Sequence, residues 1–197
     1  MGMEYEWKFA ADDRVRREIQ AAYPDSWQEI AMETTYYDTP SGSLSQRKWT
    51  LRRRLENGRS ICTLKTPGTG VARGEWELEC GDIHSAIEEL CKLSGEASLL
   101  SFAQEGLIPL CGARFTRQCR TLELEDTQVE LALDEGILFA GPRQIPLGEL
   151  EIELKSGSVS LAESFARILA KLYGLQPEPA SKFARARALS KEESPWN

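Results

Sequence analysis

Residues 4–9 read Glu-Tyr-Glu-Trp-Lys-Phe, and no other stretch constrains the fold as much. Side chains in a strand alternate between faces, so Glu4, Glu6 and Lys8 share one face and Tyr5, Trp7 and Phe9 the other. Aromatic residues suit that backbone. One such strand is most simply an exposed sheet face, but the pattern returns. Glu75, Glu77 and Glu79 alternate with Trp76, Leu78 and Cys80. Glu149, Glu151, Glu153 and Lys155 alternate with Leu150, Ile152 and Leu154, and Glu130 and Asp134 flank a shorter version. Arg52 and Arg54 share a face of another segment, and Lys65 follows Thr63 on the next. Strands with one apolar and one ionic face suggest a sheet closed on itself, its apolar side under helices and its charges lining a lumen. Such a lumen could hold a polyanion with its metal ions. An open sheet packed on helices would show the same alternation.

A length of 197 residues with 41% hydrophobic content fits one α+β domain with a substantial core. The formal charge of −7 argues against a general nucleic-acid binder. No apolar run resembles a signal peptide or a membrane span, and Glu6 stands where a myristoylation motif needs Ser or Thr, so a cytoplasmic protein without membrane attachment is expected. Cys62, Cys80, Cys91, Cys111 and Cys119 lack CxxC spacing and read as reduced, mostly packed thiols. The single histidine, His84, near a helix start, offers little to a zinc site or a nucleophilic triad.

After the first strand, Asp12 or Asp13 can cap a helix with Val15, Ile19 and Ala22 in one stripe, ending at Tyr23-Pro24. Strands are expected at 29–38, 49–55 and 60–66, with Asn57-Gly58 as a hairpin turn. Residues 67–70 form a loop without the GK[ST] of a P-loop. A strand over 75–80 precedes a helix begun by Asp82. A short helix and loop fill 94–112, and strands follow over 113–125, 128–139 and 144–155, with a bulge or bend at Asp134-Glu135-Gly136. Ser160 with Glu163 suggests a capping box for a helix carrying Phe165, Ile168, Leu169 and Leu172 and ending at Gly174. Pro177-Glu178-Pro179 reads as a stiff link to a last basic helix capped by Ser181, over about 181–190, and 191–197 as a frayed end. That gives about eight mostly antiparallel strands.

After EYEWK at 4–8, eight blocks fall in one order: YYDT at 36–39, LRRR at 51–54, TLKTPG at 63–68, GEWEL at 74–78, then FTR at 115–117, ALDEG at 132–136 and ELEIELKSG at 149–157, with SKFAR at 181–185 closing the series. In this the chain resembles the CYTH superfamily, the triphosphate tunnel metalloenzymes, over nearly its whole length, and among them the bacterial inorganic triphosphatases. The resemblance implies a closed eight-stranded antiparallel β-barrel tunnel, with residues 1–197 as a single tunnel domain and the last helix covering a tunnel mouth. Some of those triphosphatases continue into an additional C-terminal domain, which on this reading is absent here. It implies Glu4, Glu6, Glu151 and Glu153 as ligands of Mg²⁺ or Mn²⁺, whose preference for oxygen they suit. Lys8, Arg52, Arg54, Lys65, Arg117 and Lys182 match the bases that hold phosphate, Arg by a fork and Lys as a point charge. Catalytic roles fall to Glu4, Glu6 and Lys8. Glu75, Glu77, Glu123, Glu130 and Asp134 are weaker candidates for orienting bases or holding a second metal.

Other charges read as plain surface. Arg53, in step with Leu51 and Leu55, belongs at a rim or outside; Glu79, Glu125 and Glu149 read as solvated strand ends, and Glu135 and Lys155 as surface residues. Trp7 and Trp76 read as packing residues. The expected function is metal-dependent hydrolysis of inorganic triphosphate to pyrophosphate and phosphate, with a small-molecule triphosphate as partner. A thiamine or nucleoside triphosphatase and a class IV adenylate cyclase share the same triphosphate grip and stay open, though no segment suggests a site for the base and ribose. A non-catalytic triphosphate or polyphosphate binder also stays open, but it has little use for so many lumenal carboxylates.

Overall fold

The alternating segments become strands, and their pairing forms a ring. The computed structural model describes residues 2–68 and 72–191. In chain order these are β1 (Gly2–Ala10), α1 (Asp13–Ala22), β2 (Gln28–Asp38), the single turn α2 (Ser43–Gln46), β3 (Thr50–Glu56), β4 (Arg59–Pro67) and β5 (Ala72–Glu79). Then come α3 (Ile83–Ser94), α4 (Ser98–Gln104), the long strands β6 (Ile108–Leu124), β7 (Thr127–Ala140) and β8 (Arg143–Ser156), α5 (Val159–Tyr173), the two-residue β9 (Gln176–Pro177) and α6 (Lys182–Lys191). The strands neighbour one another in the order β5-β4-β3-β2-β6-β7-β8-β1, and β5 pairs in turn with β1. The first half of β1 pairs with β5, from Gly2 opposite Glu75 to Tyr5 opposite Ala72. Its second half pairs with β8, from Glu6 opposite Glu153 to Ala10 opposite Glu149. The eight strands thus close into an antiparallel barrel, and β9 adds two residues beside Phe9 and Ala10.

Register follows from burial. Leu150 and Ile152 are fully buried under α1 and α5 with Val15, Ile19, Leu131 and Leu169. A slip of one residue would turn them into the lumen and drive three glutamates into this core. A second outer cluster joins Leu51 and Leu64 of β3 and β4 to Ile83, Leu90 and Leu99 of α3 and α4. Trp7 packs against the first cluster and Trp76 against the second, as expected of packing residues. A third cluster lies inside the barrel. Met32, Tyr36, Ala113, Phe115, Leu138 and Leu147 project inward at one end and pack on Phe183, Ala186 and Leu189 of α6. The lumen is therefore ionic over only part of its length, and its far end is an apolar socket filled by the last helix.

Five local expectations change. The cap of α5 is Ser158, two residues earlier than Ser160, and its side chain accepts from the Leu161 amide, because β8 turns into the helix at Gly157 (φ +97°). The buried face of that helix is Ala162, Ala166 and Leu169. Small alanines allow close approach to the barrel and rotate Ile168 and Leu172 outward, to 63% and 68% exposure. Ala22, placed in the stripe of α1, is exposed. No bulge occurs at 134–136, where β7 stays in register with both neighbours; the irregularity lies between Gln128 and Val129. Glycine is needed at 136 for another reason, since a Cβ there would stand 2.2 Å from the Arg114 carbonyl oxygen. The link around Pro177 is docked, with the Glu178 amide donating to Lys8 O at 2.9 Å. Asp12, Asp82 and the Asn57-Gly58 turn behave as read, both turn residues having positive φ. Parts of two expectations, the 67–70 loop and the frayed end, fall at 69–70 and 192–197, outside the described residues.

All five cysteines are free thiols, with Cys62, Cys111 and Cys119 buried. Burial pushes Cys62 and Cys111 up to about 12, which leaves almost no thiolate near neutral pH. A thiol reagent at pH 8 should therefore label Cys80 and Cys91 readily in the native protein and all five cysteines only in denaturant. Peptide mapping after a timed quench checks this; fast labelling of Cys62 or Cys111 would contradict the packing.

Candidate active site

Strand alternation carries the charged side chains into one cavity of about 710 Å³. Its walls include Glu4, Glu6 and Lys8 of β1, Arg52 and Arg54 of β3, Lys65 of β4, and Glu75 and Glu77 of β5. Arg117 of β6, Glu130 of β7, Glu151 and Glu153 of β8, and Lys182 of α6 complete the set. Two expected residues do not line it. Asp134 is fully buried in the wall behind Arg117 and Lys182. Glu123 lies beyond the open end, exposed and hydrogen-bonded to Gln128 at 2.7 Å, because β6 outruns the lumen there. Arg53 faces away, donating to Ser60 Oγ, as its parity requires.

Three ionic groups divide the space. In the first, Lys65 Nζ donates to both Glu4 oxygens at 2.8 and 2.7 Å and lies 3.2 Å from Glu75, which Arg52 also reaches at 3.3 Å. Burial pushes Glu4 up to about 7, with Glu75 and Glu6 adding repulsion against the pull of Lys65. Burial would raise Glu75 as well, but Lys65 and Arg52 overrule it and hold Glu75 at about 2. Lys65 stands nearer Glu4, yet Glu75 stays charged because it has two bases where Glu4 has one.

The second group is walled in beside α6. Arg117 grips Asp134 through Nε and Nη2, both at 2.8 Å, and also bonds Glu151. Lys182 Nζ meets Asp134 at 2.8 Å, Glu151 at 2.5 Å, and Glu149. Burial opposes the charge on Lys182, but the three carboxylates hold its pKa well above the ordinary amine range. For Glu151 burial is likewise overruled, by Lys182 and Arg117, and its pKa lies well below the usual range. Oxygens of Asp134, Glu149 and Glu151 lie within 4.8 Å of one another, a spacing that could suit a divalent cation. The Lys182 ammonium already occupies their centre, so in this arrangement the three acids cage a lysine.

The third group is a row of acids. Glu6 stands directly opposite Glu153, and Glu153 opposite Glu130, on three adjacent strands. Like charges at such positions destabilise a sheet. Lys155 reaches Glu153 at 3.0 Å and Glu130 at 3.5 Å. Glu6 has no hydrogen bond or ion pair among the described residues, and burial followed by the charge of Glu151 raises its pKa. An unpaired carboxylate beside other lumenal acids fits a hard divalent cation by ligand type. On the opposite wall, Arg52 Nε and Arg54 Nε are buried without an acceptor among the described residues. Burial and the neighbouring Arg52 push the pKa of Arg54 down. Arg52 and Arg54 do have ion pairs, with Glu75 and Glu56, yet one wall keeps unused donors and the other keeps a carboxylate without an ion pair.

Four residues escaped the sequence reading. Glu149, read as a solvated end, is fully buried against Lys182 and Arg185; its parity with Glu151 and Glu153 was the available signal. Lys155 is exposed, as read, but it also lines the cavity in step with Glu153 and pairs with it. Tyr36 lines the cavity opposite Arg52, a pairing with no local signature. Glu178 joins the wall only because β9 docks on β1.

A closed barrel with a lumen of opposed charges defines a class, and comparison with known proteins agrees. The CYTH domain model matches residues 2–186, and the chain belongs to that family. An inorganic triphosphatase of Haemophilus influenzae is 30% identical over 170 residues, covering 84% of this chain and 48% of that protein, so the chain spans about half the length of this curated relative. Among solved structures, a Hippeastrum adenylyl cyclase candidate reported with dominant triphosphatase activity superposes with a TM-score of 0.68 at 19% identity, covering 95% of this chain and 96% of that one. A Pyrococcus horikoshii protein gives 0.64 at 21% identity, covering 95% and 99%. At these identities the structural likeness speaks for the fold. No helix among the described residues is long and apolar enough to cross a membrane.

Proposed function

We propose that this chain is a metal-dependent hydrolase that splits inorganic triphosphate into pyrophosphate and phosphate, with residues 1–197 acting as one tunnel domain closed at one mouth by α6. The observation that carries the reading is the division of the cavity into a wall of arginines with unused donors and a wall of carboxylates with an unpaired Glu6. A polyphosphate supplies the acceptors that the first wall lacks, and Mg²⁺ or Mn²⁺ the charge that the second lacks. The triphosphatase of Haemophilus influenzae is a relative with this activity in its name.

Arg52 and Arg54 would bind phosphoryl oxygens along one side, while Lys8, Lys65, Arg117 and Lys182 supply point charges and forks on the other. Glu4, Glu6, Glu151 and Glu153 would hold the cation, whose part is to neutralise phosphoryl charge and orient oxygens. Glu4 or Glu6 would align a water for in-line attack on a terminal phosphorus and accept its proton. No covalent nucleophile is required, so the rate would come from positioning and electrostatics.

The test is phosphate release from inorganic triphosphate, thiamine triphosphate and ATP, each with Mg²⁺, Mn²⁺ or chelator. Strong metal-dependent turnover of inorganic triphosphate, lost in chelator, is the expected result. Preference for an organic triphosphate would change the substrate, and cyclic AMP from ATP would change the reaction. Tight triphosphate binding without turnover would identify a binder.

A further inference from the structure

At the closed end of the lumen, Arg185, which does not line the cavity, shares Glu149 with Lys182, which does. Glu149 is fully buried and is held from α6 at both oxygens, Oε2 by Lys182 and Oε1 by Arg185, one helical turn apart. Arg185 also reaches Glu178 Oε2 at 3.5 Å, and its Nε has no acceptor among the described residues. Lys182 lines the cavity and Arg185 does not. Lys182 can therefore turn toward an anion in the lumen, whereas Arg185 stays behind. When Lys182 turns, Glu149 loses one of its two cations. A buried carboxylate left with none is strongly destabilised, so without Arg185 it would hold Lys182 back. With Arg185 in place Glu149 remains paired, as Asp134 and Glu151 remain paired with Arg117, so none of the three acids that hold Lys182 is stranded when it turns.

We infer that Arg185 is a positioning residue, the standing counter-ion of Glu149 that frees Lys182 to bind a phosphate-bearing ligand. The inference rests on the reading of Lys182 as a phosphate-binding base. In Arg185→Met, KM for inorganic triphosphate with Mg²⁺ should rise about tenfold, with kcat within about threefold, because a ground-state competitor for Lys182 has been strengthened. The double variant Glu149→Gln/Arg185→Met should bring KM back to within about threefold of the wild type, since a neutral amide no longer detains Lys182. A merely structural role predicts the reverse, with a second loss in one cluster compounding the first.

Both constants, and the Kd for inorganic triphosphate in chelator by calorimetry, would be measured for wild type, single and double variants. The charge-balanced double variant provides the reading if the single one does not fold, and a double variant that binds as poorly as Lys182→Met would overturn the inference. So would an unchanged KM in Arg185→Met, or a double variant worse than the single. Wild-type protein that neither binds nor hydrolyses triphosphate would instead remove the functional reading beneath it, an outcome separate from a failed variant ratio.

Discussion

Glu6→Gln is expected to cut metal-stimulated phosphate release by orders of magnitude while leaving the protein folded and at least as stable. Glu6 has no ion pair or hydrogen bond among the described residues, stands opposite Glu153, and is burdened by burial and by Glu151 more than three nearby lysines relieve it. Its charge is a cost to the ligand-free fold that Lys65, Lys182 and Lys8 offset only in part and a bound cation would offset further. The amide keeps the shape and removes the cost, so the thermal midpoint without ligand should stay level or rise, most clearly at pH 8, where the glutamate is most ionised. Turnover should fall by roughly 10²–10³-fold, the scale on which one preorganised electrostatic group counts. Stabilisation of the wild type by Mg²⁺ should shrink in the variant. Opposite movement of stability and activity is the signature of strain kept for function. A variant with full metal-dependent turnover would remove Glu6 from the metal site.

The second large effect belongs to Asp134, which is fully buried and shared between the Arg117 fork and the Lys182 ammonium. Around it three acids, Asp134, Glu149 and Glu151, face three bases, Arg117, Lys182 and Arg185. Asp134→Asn upsets this balance and leaves Arg117 and Lys182 repelling each other with one carboxylate fewer between them. Breaking a buried ion pair from one side costs about 3–5 kcal/mol, and urea denaturation should register a loss of that size. A polyanion in the lumen would restore the missing negative charge. Inorganic triphosphate should therefore raise the midpoint of Asp134→Asn more than that of the wild type. Equal shifts would mean that the ligand does not reach Arg117 and Lys182.

Most of the barrel and most of its charged lining were legible in the sequence, because both rest on alternation. A strand that buries Leu150 and Ile152 on one side must present Glu149, Glu151 and Glu153 on the other. The same parity rule sent Arg53 outward and kept Arg52 and Arg54 inside. Parity does not say where along a strand the lumen ends. Glu123 has the lumenal parity yet lies past the mouth, while Glu149 reads like a strand end and sits in the most enclosed part of the wall.

What only the tertiary structure decided are the contacts between distant segments. Closure depends on β5 meeting β1, about 70 residues apart in the chain, and no local pattern encodes that pairing. The apolar socket also stayed hidden, because Phe115, Leu138 and Leu147 project into the barrel and α6 enters to cover them. That insertion puts Lys182 among Asp134, Glu149 and Glu151, while Glu6 is left without an ion pair among the described residues. Alternation, a local steric property, determined which residues face the lumen. Which of them neutralise one another depends on distances across the barrel, and these exist only once it has closed.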